Sequence, residues 1–164
     1  MEGLFLRAVV TSMTSINVVR SLSVPLSVAW EELAAIDHHV EWMADAVRID
    51  FVTDQHEGAG TRFTCLTKVG PLKTNDLMEI TRWDEGHAIG VHHKGLITGE
   101  GLLELREAAD ETCLLSWKET LHFPKAIGGA LTANLAQPIL TKIWRGNLQR
   151  FEQSAIRRLE SNKP

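Results

Sequence analysis

The spacing of hydrophobic and polar positions changes period twice along the chain. Residues 16–24 (INVVRSLSV) are rich in β-branched and apolar side chains and end at Pro25, which removes a backbone donor and closes a predicted first strand. Beyond it, Val28, Trp30, Leu33, Ala34 and Ile36 form an apolar helical stripe. Ser27 is the expected N-cap, and Glu31 and Glu32 sit in the first turns, where the helix dipole favours negative charge. Residues 37–46 predict a second short helix with Val40, Trp42 and Met43 as its apolar members.

Six strand-like runs follow, at 47–53, 61–69, 75–83, 88–97, 102–105 and 113–123. The segments between them, among them Gly70-Pro71, Glu85-Gly86, Gly99-Glu100-Gly101 and Ala109-Asp110, are turn material, and such short connections favour an antiparallel meander over helical crossovers. From about 126 to 160 the period returns to three and four, through Leu131, Leu135, Ile139 and Ile143 and then Trp144, Leu148, Phe151, Ala155 and Leu159. Pro138 lacks a backbone donor and clashes with the preceding turn, so a kink or break is expected near Gln137, while Gly128 and Gly129 loosen the helix entry. The expected architecture is α+β: a seven-stranded antiparallel sheet, two short helices between strands 1 and 2, and one long C-terminal helix. Only that helix is long enough to cover the sheet, so the sheet must curl around it and leave a cavity between them.

Length and composition narrow the class. The chain has 164 residues, 44% hydrophobic and 23% charged, which suits one domain with one core. Residues 15–161 are read as that domain and 1–14 as a disordered or mis-started extension, with Met13 as the expected start. Seventeen basic against 21 acidic residues give a formal charge of -4. There is no basic stripe, so nucleic acid is not an expected partner. The cluster of Arg145, Arg150, Arg157 and Arg158 reads as a solvated helix face. Cys65 and Cys113 read as free buried thiols of a reducing compartment, which with the lack of an 18-residue apolar run predicts a cytoplasmic protein without a membrane span.

Several stretches, as they stand here, are similar to one family. They are WEELAAIDHHVEWMADA across the short helices, GAGTRF, KVGPLKTNDLMEITRW, GVHHKGLITGEGLLEL, LLSWKETLHFP at the last strand and IWRGNLQRF at the end. Together with the element order they resemble the START-like (SRPBCC) helix-grip superfamily, and within it the polyketide cyclase/dehydrase and lipid-transport group, over Ser15 to Leu159. The resemblance implies a sheet gripping the C-terminal helix around an apolar cavity open near the short helices. It implies that the chain binds lipids, polyketides or other apolar molecules, or cyclises or dehydrates them.

The candidate chemistry comes from strand parity. Leu115, Trp117, Glu119, Leu121 and Phe123 alternate onto one face of the last strand, so Glu119 stands among apolar neighbours. A carboxylate there must be paired, with Arg62, Arg82 or Arg145 as the expected partner, or used as a proton donor or acceptor. His93 shares the apolar parity of Ile89 and Val91, and Asp76 that of Met78 and Ile80. Asp76, His93 and Glu119 are therefore the candidate acid/base residues, with Asp76 either orienting His93 or pairing with an arginine. Trp42, Met43, Met78, Val91, Trp117, Leu121, Leu131 and Leu135 join His93 and Glu119 as the expected ligand-contacting set, Trp42 and Met43 roofing the cavity mouth. His38, His39 and Glu41 do not suggest a metal, because adjacent residues on a helix diverge by ~100°. No cofactor is called for. Three functions remain open: a binding module for an apolar small molecule, a cyclase or dehydratase using Glu119 and His93, and a protein-interaction module. Monomer and homodimer both stand, an exposed Trp144 or Trp83 being the feature that would favour a dimer.

Overall fold

A computed structural model describes residues 12–162. Along the chain run β1 (Ser12–Leu22), α1 (Leu26–Ala34), a 3-10 turn (Ile36–His38), α2 (His39–Trp42), β2 (Ala46–Phe51), β3 (Arg62–Val69), β4 (Leu72–Asp84), β5 (Ala88–Lys94), β6 (Thr98–Glu107), β7 (Cys113–Phe123) and α3 (Gly129–Ser161). The seven strands form one antiparallel sheet in the order β1-β7-β6-β5-β4-β3-β2. Strands 2 to 7 are the expected meander, and β1 adds to its far side by pairing with β7 from Ser12 opposite Phe123 to Leu22 opposite Cys113.

Four local expectations are corrected. Ser12, Met13 and Thr14, assigned to the extension, begin β1, and Thr14 Oγ1 donates to the Ala133 carbonyl of α3 at 3.0 Å; the rest of that extension lies outside the described residues. Ser27 lies inside α1, whose N-cap is Pro25 with no side-chain cap, since proline's fixed backbone already suits a helix start. Gly99, Glu100 and Gly101 are not a turn but part of β6. Finally, α3 runs unbroken through Pro138. The hydrogen bond that proline removes would have used the Asn134 carbonyl, and both residues are exposed, so water satisfies the freed oxygen.

The core lies between the inner sheet face and the second half of α3. Trp144, Leu148, Phe151 and Ala155 are all buried there. Trp144 stacks on Trp117 of β7 at 5.1 Å between ring centroids, and Trp42 of α2 meets Phe151 edge-on at 5.1 Å. Aromatic pairs of this kind add ~0.5–1.5 kcal/mol each beyond the area they bury. Trp144 is thus a core residue and offers no dimer contact, and Trp83 packs edge-on against Trp30 at 5.3 Å.

Polar clamps then fix the short helices. Arg158 Nε donates to the buried Glu32 of α1 at 2.7 Å, and Arg150 Nε donates to the Trp42 carbonyl at 3.0 Å. Those two arginines bind the helices together and are not a solvated face; Arg145 and Arg157 are exposed. Among the described residues no helix is long and apolar enough to cross a membrane, and Cys65 and Cys113 are free and buried.

Arg158→Ala leaves the buried Glu32 carboxyl without its partner. Urea denaturation is expected to show a loss of about 3 kcal/mol, at the low end for a broken buried pair because Arg158 is itself partly solvated. Adding Glu32→Gln should recover part of it, since an unpaired amide costs less to bury than an unpaired charge.

Candidate functional site

A cavity of about 220 Å³ lies between the inner sheet face and the first half of α3. Its origin is the size of the helix side chains. Trp144, Leu148 and Phe151 fill the gap further along α3, whereas its first turns present Thr132 and Ala136, followed by Ile139 and Leu140. Met43, Met78, Leu121, Phe123 and the stacked Trp117 and Trp144 supply apolar wall, and the polar groups on it include Asp45, Asp76, His93 and Glu119.

Glu119 and His93 meet through a gap built into β6. Glu119 on β7 faces Gly101, and Gly99 faces His93 on β5, so the acid and the imidazole stand two strands apart on a diagonal. Strands are ~4.8 Å apart, and any side chain on the intervening strand would fill the path between the two. A Cβ at Gly101 would stand 3.1 Å from Glu119 Oε2, and one at Gly99 2.2 Å from the Thr120 carbonyl oxygen. The two glycines are therefore needed for close approach within a strand, not for a turn.

In the space they leave, His93 Nε2 lies 2.8 Å from Glu119 Oε1, while Trp117 Nε1 donates to Glu119 Oε2 at 2.7 Å. The Glu119 side chain is 2% exposed. With the imidazole charged this contact is an ion pair, and Oε1 has no hydrogen-bond partner besides it. Burial by itself would depress the His93 pKa, but the Glu119 charge and contact, with smaller contributions from Asp76 and Asp45, outweigh it and hold the imidazole above its ordinary value.

The other two carboxylates are tied to the scaffold. Asp76 accepts from Thr74 Oγ1 at 2.8 Å and from the Leu96 backbone N–H at 3.1 Å, so it secures the β5–β6 loop and pairs with no arginine. Asp45 follows α2 and accepts from Asn147 Nδ2 at 2.8 Å. Burial raises its pKa, and the Asn147 bond opposes that shift. Asn147 is fully buried and also accepts the Ala44 backbone N–H at 3.0 Å, joining α3 to the loop after α2.

Asp76, His93 and Glu119 thus share one cavity with Met43, Met78, Trp117 and Leu121, all anticipated from parity or helix position. The expected arginine partners of Glu119 are elsewhere: Arg62 and Arg145 are exposed, and Arg82 Nε donates to Asp84 at 2.8 Å. Trp42 does not roof the mouth; it is buried in the aromatic core against Trp117 and Phe151. Val91 sits beside Gly101 and off the cavity wall. Leu131 and Leu135 point to solvent, 68% and 61% exposed, and their places on the wall are taken by Thr132, Ala136 and Leu140. Asp45 and Asn147 had gone unnoticed. The available signal was Asn147, a polar residue on the apolar stripe between Trp144 and Phe151. His39 Nε2 contacts the Leu33 carbonyl at 2.8 Å, and burial drives its pKa down to about 4.

The structure superposes on a protein from Thermus thermophilus with a TM-score of 0.76, at 17% identity, covering 91% of this chain and 99% of that one. The Zhui aromatase/cyclase of Streptomyces sp. R1128 gives 0.72 at 13% identity, covering 90% and 96%. The chain has the helix-grip fold. Truncated norcoclaurine synthase from Thalictrum flavum shares the helix-grip fold as well, at a TM-score of 0.66 and 11% identity, covering 87% of this chain and 93% of its own. No protein-family model and no curated sequence matches the chain. At these identities the helix-grip likeness carries the fold alone.

The pair gives two tests. Glu119→Gln removes the charge but leaves the burial, so the His93 pKa is expected to fall from above 6.5 to below it in an NMR titration; an unchanged value would show that Glu119 is not its cause. Because the folded-state pKa is raised, the pair's stabilisation is complete below the unfolded value near 6.5 and is lost as pH rises through the folded value. Wild-type stability should therefore decline across that window, and the variant's should not. Gly101→Val, with its Cβ 2.9 Å from Val91 Cγ1 and 3.1 Å from Glu119 Oε2, is expected to part the pair and lower the His93 pKa as well.

Proposed function

We propose that this protein binds an apolar small molecule, of about two fused rings or a short acyl chain, in the cavity beneath the first half of α3. The observation that carries the reading is the cavity itself, about 220 Å³ with stacked Trp117 and Trp144 on its wall. A void of ~150 Å³ lined by aliphatic and aromatic side chains already accommodates benzene, so this one suits a larger guest. Apolar contact would supply most of the affinity, at ~25 cal/mol per Å² removed from water, and the few polar groups would orient the ligand. Solved proteins of the same fold include an aromatase/cyclase and a norcoclaurine synthase, which supports this reading.

A second reading is catalytic, and the His93–Glu119 pair favours it. A protonated imidazole held by a buried carboxylate on the wall of an apolar cavity is placed to pass a proton to a bound substrate, as cyclisation or dehydration of a polyketide-like chain requires. Neither reading calls for a cofactor. An interaction module is the weakest of the three, because it needs a filled interior.

The test is to fill the space. Prodan, a neutral dye built on two fused rings, is expected to bind the wild-type protein at micromolar concentration with a blue-shifted emission. Ala136→Trp should abolish that binding while leaving thermal stability nearly unchanged. If no lipophilic probe binds, or if the filled variant binds equally well, the cavity is not a ligand site.

A further inference from the structure

We propose that the cavity discriminates by charge, taking apolar molecules that carry an ammonium or another strong hydrogen-bond donor and rejecting carboxylates and phosphates. This inference rests on the ligand-binding reading above and names the ligand class. Three carboxylates, Asp45, Asp76 and Glu119, lie on the wall against one imidazole, His93, and among the described residues no lysine or arginine lies there. Arg150 is held on the Trp42 carbonyl and on Asn147 off the wall, from where its charge acts on Asp45. With His93 protonated the acids still outnumber it, and with Asp45 neutral they still do.

A second observation points to the same chemistry independently of the count. Glu119 Oε1 is buried and its one polar contact is His93 Nε2 at 2.8 Å, while Oε2 is satisfied by Trp117. A carboxylate oxygen with a single partner on the wall of an apolar cavity keeps a lone pair for a ligand donor, and a charged acceptor gains more from such a donor than an amide or hydroxyl does. An ammonium would fill it and gain from the surrounding negative charge in a medium of low dielectric constant. A ligand carboxylate would bring a further negative charge against these acids with no lysine or arginine among the described wall residues to meet it.

The experiment uses three molecules of one shape: naphthylmethylamine, naphthylmethanol and naphthoate, measured by calorimetry at neutral pH. The amine is expected to bind at least about tenfold more tightly than naphthoate, with the alcohol between them. The double variant Asp45→Asn with Glu119→Gln should close most of that gap by weakening the amine and admitting naphthoate. Naphthoate binding as tightly as the amine would overturn the inference, as would an amine preference that survives the double variant unchanged. Failure of the inference is distinguishable from failure of the binding reading. If the alcohol and Prodan bind and the amine and naphthoate bind alike, only the inference falls; if none of the four molecules binds, both fall.

Discussion

A carboxylate inside an apolar wall must be compensated, because an isolated ion taken from water into a low-dielectric interior costs several kcal/mol even after the protein relaxes. Much of the inner sheet face follows from meeting that demand for Glu119. Trp117, two residues earlier on the same strand face, supplies an indole N–H to one oxygen. The other oxygen is met by His93, and the meeting is possible only because β6 contributes two glycines in the path. Glycine inside a strand gives up side-chain packing and carries an entropic cost. That loss is concentrated where the cavity lies, so the composition of one central strand sets both the electrostatics of the pair and part of the room beside it.

The helix divides the labour along its length. In its second half, tryptophan, leucine and phenylalanine pin it to the sheet, while Asn147, Arg150 and Arg158 tie it to the two short helices and the loop behind them. In its first half the wall residues Thr132 and Ala136 are small, with Ile139 and Leu140 after them, and the proline is placed where its missing hydrogen bond faces water. Stability is thereby gathered in one half, so the other can leave space unfilled without unfolding the domain. Asn147 links the halves, since the same side chain that anchors the loop after α2 also holds Asp45 against the cavity.

How far the sequence revealed this depended on the range of each interaction. Period-2 alternation is local, so all seven strands and the inward set on β7 could be read directly, Glu119 included. The partner of Glu119 could not, because pairing across a diagonal two strands away depends on register, and register is not written in either strand alone. Gly99 and Gly101 were ambiguous for a related reason: glycine permits a turn and permits close approach equally, and only the neighbours on β5 and β7 distinguish them. Leu131 and Leu135 show the limit of helical periodicity. It established that a helix exists but not which way its first half faces, since Leu131 and Leu135 face solvent while Thr132 and Ala136 beside them face the cavity. Asp45 lies in a loop, where no period applies.

Binding and proton transfer are not separate designs in this geometry. His93 holds its proton because Glu119 is beside it; burial alone would favour the neutral ring. On the proposed reading, a ligand donor that reaches Glu119 Oε1 takes over part of the compensation His93 now provides, and the imidazole then loses much of its reason to stay charged. Linkage makes this reciprocal: whatever the ligand cation does to lower the His93 proton affinity, protonated His93 does equally to lower the cation's affinity. The imidazolium is in this sense an internal stand-in for the ligand's own charge. A cavity that exchanges one for the other binds an ammonium by releasing a proton from its wall. A substrate able to accept that proton would meet a donor at the site where its charge is held. Which of the two the protein does is then set by the chemistry of the guest, because the wall residues required are the same.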